Sequence, residues 1–225
     1  MKKDITPPQL HRAPLGGVEF EFIGGDPVLD FHNTIAWSRG RKSNERLRRP
    51  VDFIRWSEEA GVTTKREAGK LRVFATRNYN RARAILDDAL RLRDLLRQLL
   101  LSVSDGTAPD AKAVEELNRR YIKAMASVEM KWQDGRLQWA TRADPRMTTI
   151  LDRVVWRAGE LLSCGDVKRL RRCANPDCGW LFLDRSKNGT RRWCSMRECG
   201  DRAKAKRYYQ RHHGGNSKPL VAARA

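Results

Sequence analysis

The sequence lacks any apolar run of the ~20 residues that a membrane-spanning helix needs. Its longest apolar stretch lies between Leu95 and Leu101 and is interrupted by Arg97 and Gln98. The first 17 residues carry lysines and prolines but none of the apolar core of a secretion signal. We therefore expect no membrane partner and a cytoplasmic location, where thiols stay reduced.

Residue patterns that carry catalysis are also missing. No paired carboxylates, no Ser/His/Asp set and no glycine-rich phosphate loop stand out, and the chain has 4 histidines. The sequence therefore predicts a protein that is not an enzyme.

Acidic residues are scarce relative to basic ones. The 225 residues include 46 Lys and Arg against 27 Asp and Glu, a net charge of +19, while 40% hydrophobic residues are enough for a folded core. From residue 166 onward, 16 basic residues face 5 acidic ones, and four of the five cysteines lie there. This shift predicts a first domain over 1–165, a second over 166–213 and a flexible tail over 214–225.

The first domain is predicted to be mainly helical with a small antiparallel sheet, so the fold class is α+β. The spacing of apolar residues predicts helices over 51–60, 64–102 and 109–126, and a further helix from Asp144-Pro145 to Leu162. Segments 127–132 and 136–141 predict a hairpin that turns at 133–135. Val18 to Ile23 alternates like a strand, and the basic stretch 39–49 predicts a loop.

A short helix from Asp26-Pro27 to about Trp37 offers a candidate ligand site. On such a helix Asp30, Asn33, Thr34 and Trp37 share one face, with hydrogen-bonding groups and an aromatic wall. The alternative is an acidic residue that complements the helix dipole beside a partly exposed Trp. The domain could also serve as a homodimerisation platform without any effector.

Four cysteines form two spaced pairs, Cys173 with Cys178 and Cys194 with Cys199. Two such pairs predict one structural zinc ion held by four thiolates, with no open position for catalysis. The alternative is a small disulfide-linked or apolar module. Cys164 stands apart from the pairs and is expected to be a buried core cysteine.

The residues around the cysteines predict a treble-clef-like finger of knuckle, β-hairpin and helix. Turn residues at 175–179 favour a knuckle, and 180–183 with 190–193 predict a hairpin. Ser195 and Glu198 fit a capping box that starts a helix between the second pair of cysteines. A module this small has little core without its metal, so chelation is expected to unfold the finger alone.

Segments 173–184 and 191–202 resemble the CGNR zinc finger of bacteria, and Leu29-Asp30-Phe31-His32-Asn33-Thr34 resembles part of the helical ABATE domain that usually precedes it. The resemblance implies a stress-responsive transcription regulator with one zinc per chain. The motif that names the finger has Asn where this chain has Asp201. Asn both donates and accepts hydrogen bonds, whereas an ionised Asp only accepts.

The finger also carries a concentrated positive charge, which predicts a nucleic-acid surface. Its basic candidates are Arg191, Arg192, Arg202, Lys204, Arg207 and Arg211. We expect DNA as the partner, with an RNA- or ribosome-associated protein and a finger for protein contacts as the alternatives.

Overall fold

The computed structural model describes residues 19–38, 41–141 and 146–213. The predicted tail over 214–225 and the predicted cap at Asp144-Pro145 lie outside these residues. No helix in the described part of the chain combines the length and apolar character that crossing a membrane requires.

Seven α-helices and three two-stranded antiparallel sheets make up the described chain, which confirms the α+β class. In order, the elements are α1 (Pro27–His32), β1 (Ile35–Ser38), β2 (Arg41–Glu45), α2 (Pro50–Glu59), α3 (Lys65–Arg77), α4 (Tyr79–Ser104), α5 (Ala111–Met125), β3 (Val128–Gln133), β4 (Arg136–Thr141), α6 (Thr148–Ser163), β5 (Leu170–Arg172), β6 (Leu181–Leu183) and α7 (Asp201–His213). The sheets pair β1 with β2, β3 with β4 and β5 with β6. A 3₁₀ turn over Gly165–Arg169 follows α6, and a π-helical turn over Met196–Gly200 precedes α7.

The long helix α4 is the centre of the core, and it packs against α1, α2, α3, α5, α6 and β5. Its buried leucines recur at helical spacing, as the sequence predicts. Phe31, Phe53 and Trp56 form an aromatic cluster beside it, with the Phe31 and Trp56 ring centroids 4.9 Å apart. Leu170, Leu181 and Leu183 of β5 and β6 belong to the same core. The C-terminal segment is thus packed into the first domain.

The β3–β4 hairpin is confirmed, with its turn at Asp134 and Gly135. Both residues have positive φ, 51° and 74°, as a tight turn between right-twisted strands requires. The predicted loop over 39–49 is wrong in part, because residues 41–45 form β2 and pair with β1. The buried Arg93 of α4 donates to both carboxylate oxygens of Glu45 and so holds β2 in place.

The strand predicted at Val18 to Ile23 is wrong over the described residues 19–23, which form no ladder. Single contacts hold this segment instead. Phe20 is buried, Glu21 pairs with Arg46 at 3.1 Å, and the Ile23 carbonyl accepts from Arg191 at 3.2 Å. The helix that follows ends at His32 rather than near Trp37, which lies in β1.

Candidate metal centre and nucleic-acid interface

The structure brings the four predicted cysteines together. Their sulfur atoms all lie within 4.8 Å of one another, and three of the four residues are buried. Cys194 Sγ lies 3.6 Å from the sulfurs of both Cys178 and Cys199. A tetrahedral ion with Zn–S bonds of about 2.3 Å places its sulfurs about 3.8 Å apart. The cluster therefore has the size of a four-thiolate zinc site.

Three of the clustered thiols, Cys173, Cys178 and Cys194, affect one another's ionisation. Hydrogen bonds from Cys178 and Cys194 lower the pKa of Cys173. The hydrogen bond to Cys173, aided by burial, raises the pKa of both Cys178 and Cys194. A bound zinc ion would replace the protons of these crowded thiols and offset two of the four thiolate charges.

The knuckle, residues 173–179, is built by local hydrogen bonds. The amide of Asp177 donates to Asn175 Oδ1 at 3.1 Å, and the Cys178 amide donates to the Asn175 carbonyl at 3.0 Å. Asn175 Nδ2 lies 3.4 Å from Cys199 Sγ, so the same side chain can donate to a thiolate of the second pair. Gly179 has φ of 77°, which favours glycine at the exit of the turn.

The second pair is positioned differently from the prediction. Ser195 makes no capping hydrogen bond through its side chain, so the predicted capping box is wrong. The amide of Gly200 instead bonds the Ser195 carbonyl at 3.0 Å, a five-residue spacing that makes the turn π-helical. This wider turn still brings Cys194 and Cys199 into contact.

The strand after the knuckle, β6, also pairs with a different segment from the one predicted. Residues 190–193 form no strand, and β6 pairs with β5 on the other side of the knuckle, with Leu170 opposite Leu183. Segment 190–193 is held by the Ala174 amide, which donates to the Arg192 carbonyl at 2.9 Å, and by Asp184, which accepts from the Arg191 amide. Cys164 is exposed, against the expected burial, because it follows the last residue of α6.

The candidate ligand residues of the first domain bind other parts of the protein. Asp30 Oδ1 accepts from the Gly24 amide at 2.8 Å, and Thr34 accepts from Arg93 at 2.7 Å. Asn33 Nδ2 donates to the Leu181 carbonyl at 2.9 Å, while its Oδ1 accepts from the Leu181 amide at 3.1 Å. All three side chains are buried. The shared helical face with Trp37 does not exist, and ligand binding by this set stays a prediction.

His32 and Trp180 complete this junction. His32 Nδ1 lies 3.0 Å from Asn33 Oδ1, and its Nε2 lies 3.1 Å from Arg97 Nη1. Because arginine only donates, Nε2 is an acceptor and His32 is neutral. Trp180 Nε1 donates to the Ile35 carbonyl at 2.9 Å.

The basic candidates divide into two groups. Arg191 is half-buried, stacks over Phe182 at 4.2 Å and donates to the carbonyls of Ile23, Trp193 and Cys194. Its contacts are therefore internal. The other five are exposed. Arg202 lies 3.9 Å from Glu198, and Lys204 pairs with Asp201 at 3.1 Å.

A cleft of about 430 Å³ separates the knuckle from α7. Its basic lining residues are Arg192, Arg202, Lys206 and Arg207, and its other lining residues are Asn175, Pro176, Asp177, Trp193, Ala203 and Gln210. The candidates predicted from the sequence do not include Lys206, although its position one turn after Arg202 is the signal that places it there. Lys204 and Arg211 are not among the lining residues.

Comparison with known families agrees with this organisation. The model of the ABATE domain, described as a putative stress-induced transcription regulator, matches residues 25–165. The chain belongs to the ABATE family. The CGNR zinc finger model matches residues 169–212, which contain all four clustered cysteines. The predicted zinc cofactor and two-part architecture are thus confirmed. The family description is that of a regulator rather than an enzyme. No curated protein matches this ABATE chain.

Proposed function

We propose that this ABATE protein regulates transcription by binding duplex DNA through the cleft between the knuckle and α7. The observation that carries the proposal is the convergence of Arg192, Arg202, Lys206 and Arg207 on one cleft. Basic side chains lining a groove are the electrostatic footprint of phosphate binding.

Zinc dependence follows from the walls of the cleft. Asn175, Pro176 and Asp177 lie between Cys173 and Cys178, whereas α7 begins just after Cys199. One ion bound to all four cysteines would fix the knuckle relative to α7. Loss of the ion would let the two walls separate, and the basic side chains would then no longer converge on one phosphate strand.

Lys204 and Arg211 are the outer part of the proposed interface. Counting 100° per residue, they lie about 40–60° beyond Arg207 on the exposed side of α7. A duplex that places one backbone in the cleft would bring neighbouring phosphates toward these two exposed side chains. We assign Arg191 to the finger's internal structure, because its guanidinium is bound to three carbonyl groups.

We infer that stress regulation passes through the first domain, because that domain shares its core with β5 and β6. A small-molecule effector and a homodimer both stay predictions. A regulator acts where the DNA is, so in a bacterial cell we place the protein in the cytoplasm, at the nucleoid.

Salt-dependent binding of the zinc-loaded protein to a random-sequence duplex tests the proposal. Replacing Arg192, Arg202 and Arg207 with Gln should weaken binding to all sequences and reduce the log–log salt slope by about 3. The matched control replaces Arg66, Arg77 and Arg91, three exposed arginines of α3 and α4, with Gln. The control should keep nearly the full slope at the same net charge.

Equal losses in the two triple variants would contradict the assignment of the cleft. Competition between duplex DNA and RNA at one salt concentration decides the nucleic acid. Preference for RNA would favour the alternative reading, and Trp193 in the cleft would then be a stacking partner for an unpaired base.

A further inference from the structure

A second cleft lies where the first domain meets the finger. It has a volume of about 380 Å³ and is lined by Arg97 of α4, Arg172 of β5 and the knuckle residues Cys173, Ala174, Asn175, Pro176 and Gly179. Asn175 and Pro176 also line the cleft beside α7. The two clefts therefore open on either side of the same knuckle tip.

The junction cleft carries positive charge from both parts of the chain. Two arginines and no carboxylates are found among the described residues that line it. Arg172 is exposed, and Arg97 is half-buried with Nη1 within hydrogen-bonding distance of the neutral His32. Asp94 lies one turn before Arg97, but its carboxylate pairs with Lys42 at 2.5 Å.

These two arginines repel each other. Burial and the neighbouring charge of Arg172 lower the pKa of Arg97, while Asp94 acts in the opposite direction. Like charges held close together by a fold are stabilised by an anion between them. Guanidinium groups suit phosphate in particular, because their planar donors match its oxygens in pairs.

We propose that Arg97 and Arg172 bind a backbone phosphate of the same nucleic acid that occupies the α7 cleft. The inference rests on the proposed function and extends it, because it assigns part of the DNA-binding surface to the first domain. Continuity of the two clefts at Asn175 and Pro176 selects a polymeric phosphate over a separate small anion. A strand that passes over the knuckle tip would meet both basic clusters in turn.

The test compares single variants of the full-length, zinc-loaded chain in the same duplex titration. Arg97→Gln and Arg172→Gln should each reduce the salt slope by about 1, and the double variant by about 2, at unchanged zinc content. Each change also has a matched control that removes a charge from the same element. Arg91→Gln removes an exposed charge from α4, and Arg171→Gln removes the neighbouring charge of β5.

The controls separate phosphate contact from general loss of charge. Arg97→Gln also changes the contact to His32, so its thermal midpoint is measured beside its binding. Arg172 is exposed, and its variant keeps the inference testable if Arg97→Gln unfolds. If Arg172→Gln and Arg171→Gln bind DNA with the same slope, the inference is overturned while the proposed function stands. Absence of duplex binding by the unmodified protein would overturn both.

Discussion

His32 and Asp30 lie two positions apart in α1, and the fold moves their pKa values in opposite directions. Burial lowers the pKa of His32 to about 4, with the nearby arginine charges acting in the same direction. Burial raises the pKa of Asp30 to about 7, against the hydrogen bond from the Gly24 amide. Between pH 4 and 6.5 the folded chain therefore holds a proton on Asp30 and none on His32, the reverse of the unfolded chain.

These pKa shifts determine how the free energy of unfolding changes with pH. The lowered His32 pKa adds stability above the unfolded value of about 6.5, and this stability is lost as the pH falls toward 4. The raised Asp30 pKa adds stability below about pH 4, and this stability is lost as the pH rises through 7. The two contributions oppose each other between about pH 4 and 6.5. The stability of the unmodified protein therefore changes little with pH on account of these two groups.

We predict that single substitutions reveal the two slopes. Relative to the unmodified protein, His32→Gln should lose stability as the pH rises from 4.5 to 6.5, by up to about 1.4 kcal/mol per pH unit. Asp30→Asn should gain relative stability over the same interval. Urea unfolding at a series of pH values measures both slopes. The contribution of the zinc thiolates to the pH dependence cancels in the comparison, because all three proteins share them. Parallel profiles for the three proteins would contradict the prediction.

At the scale of elements, local patterns predict well and long-range pairings do not. The leucine spacing of α4 and the Asp134-Gly135 turn depend on neighbours in the chain, and both are confirmed. The partner of β6 is β5, which lies on the other side of the knuckle in the sequence. No local sequence pattern indicates this pairing. The Ser195 and Glu198 spacing fits a capping box, yet the chain forms a π-turn because Gly200 bonds the carbonyl of Ser195.

The candidate sites show the same division. Cysteine spacing, together with the turn residues around the first pair, predicts the metal ligands, since each pair is local and the chemistry of thiolates is specific. The sequence does not predict that Lys206 and Asn175 line the same cleft, because the cleft depends on how the knuckle packs against α7. Asn33 was expected to face a ligand, but its side chain hydrogen-bonds the backbone of Leu181, which lies 148 positions away in the sequence.

The π-turn makes Cys199 a sharp test of the metal centre. We predict that Cys199→Ser greatly lowers the zinc content, because its thiolate closes the tetrahedron and serine oxygen is a poorer zinc ligand. Cys164→Ser is the matched control, since this exposed cysteine lies outside the cluster and should leave about one zinc per chain. Elemental analysis of protein purified without oxygen measures both. Full zinc in the Cys199 variant would remove this residue from the ligand set.

At the scale of the whole molecule, the finger and the first domain share one core. Leu170, Leu181 and Leu183 are buried in the main hydrophobic cluster, while Ile23 and Ile35 pack with the cysteines. Each part thus contributes apolar side chains to the other. Because of this shared core, we no longer expect a chelator to unfold the finger alone.

We predict that chelation lowers the stability of the entire chain in a single cooperative transition. Zinc bound only to the folded state stabilises everything that unfolds with it. Calorimetry of the zinc-loaded and chelated protein should show one peak in each case, shifted to lower temperature without metal. Two separate peaks, with the upper one unmoved by the chelator, would show that the first domain folds independently of the finger.

The amide of Asn33 has one more consequence, which concerns association between molecules. The open edge of a short sheet exposes unpaired N–H and C=O groups that invite a strand from another chain. In β6 the outward N–H and C=O groups of Leu181 bond Asn33, and the outward N–H of Leu183 bonds the Gly24 carbonyl. The first domain thus occupies the place that a third strand would take. The junction that positions the finger also protects the β6 edge from intermolecular pairing, so weakening the junction would promote aggregation as well as unfolding.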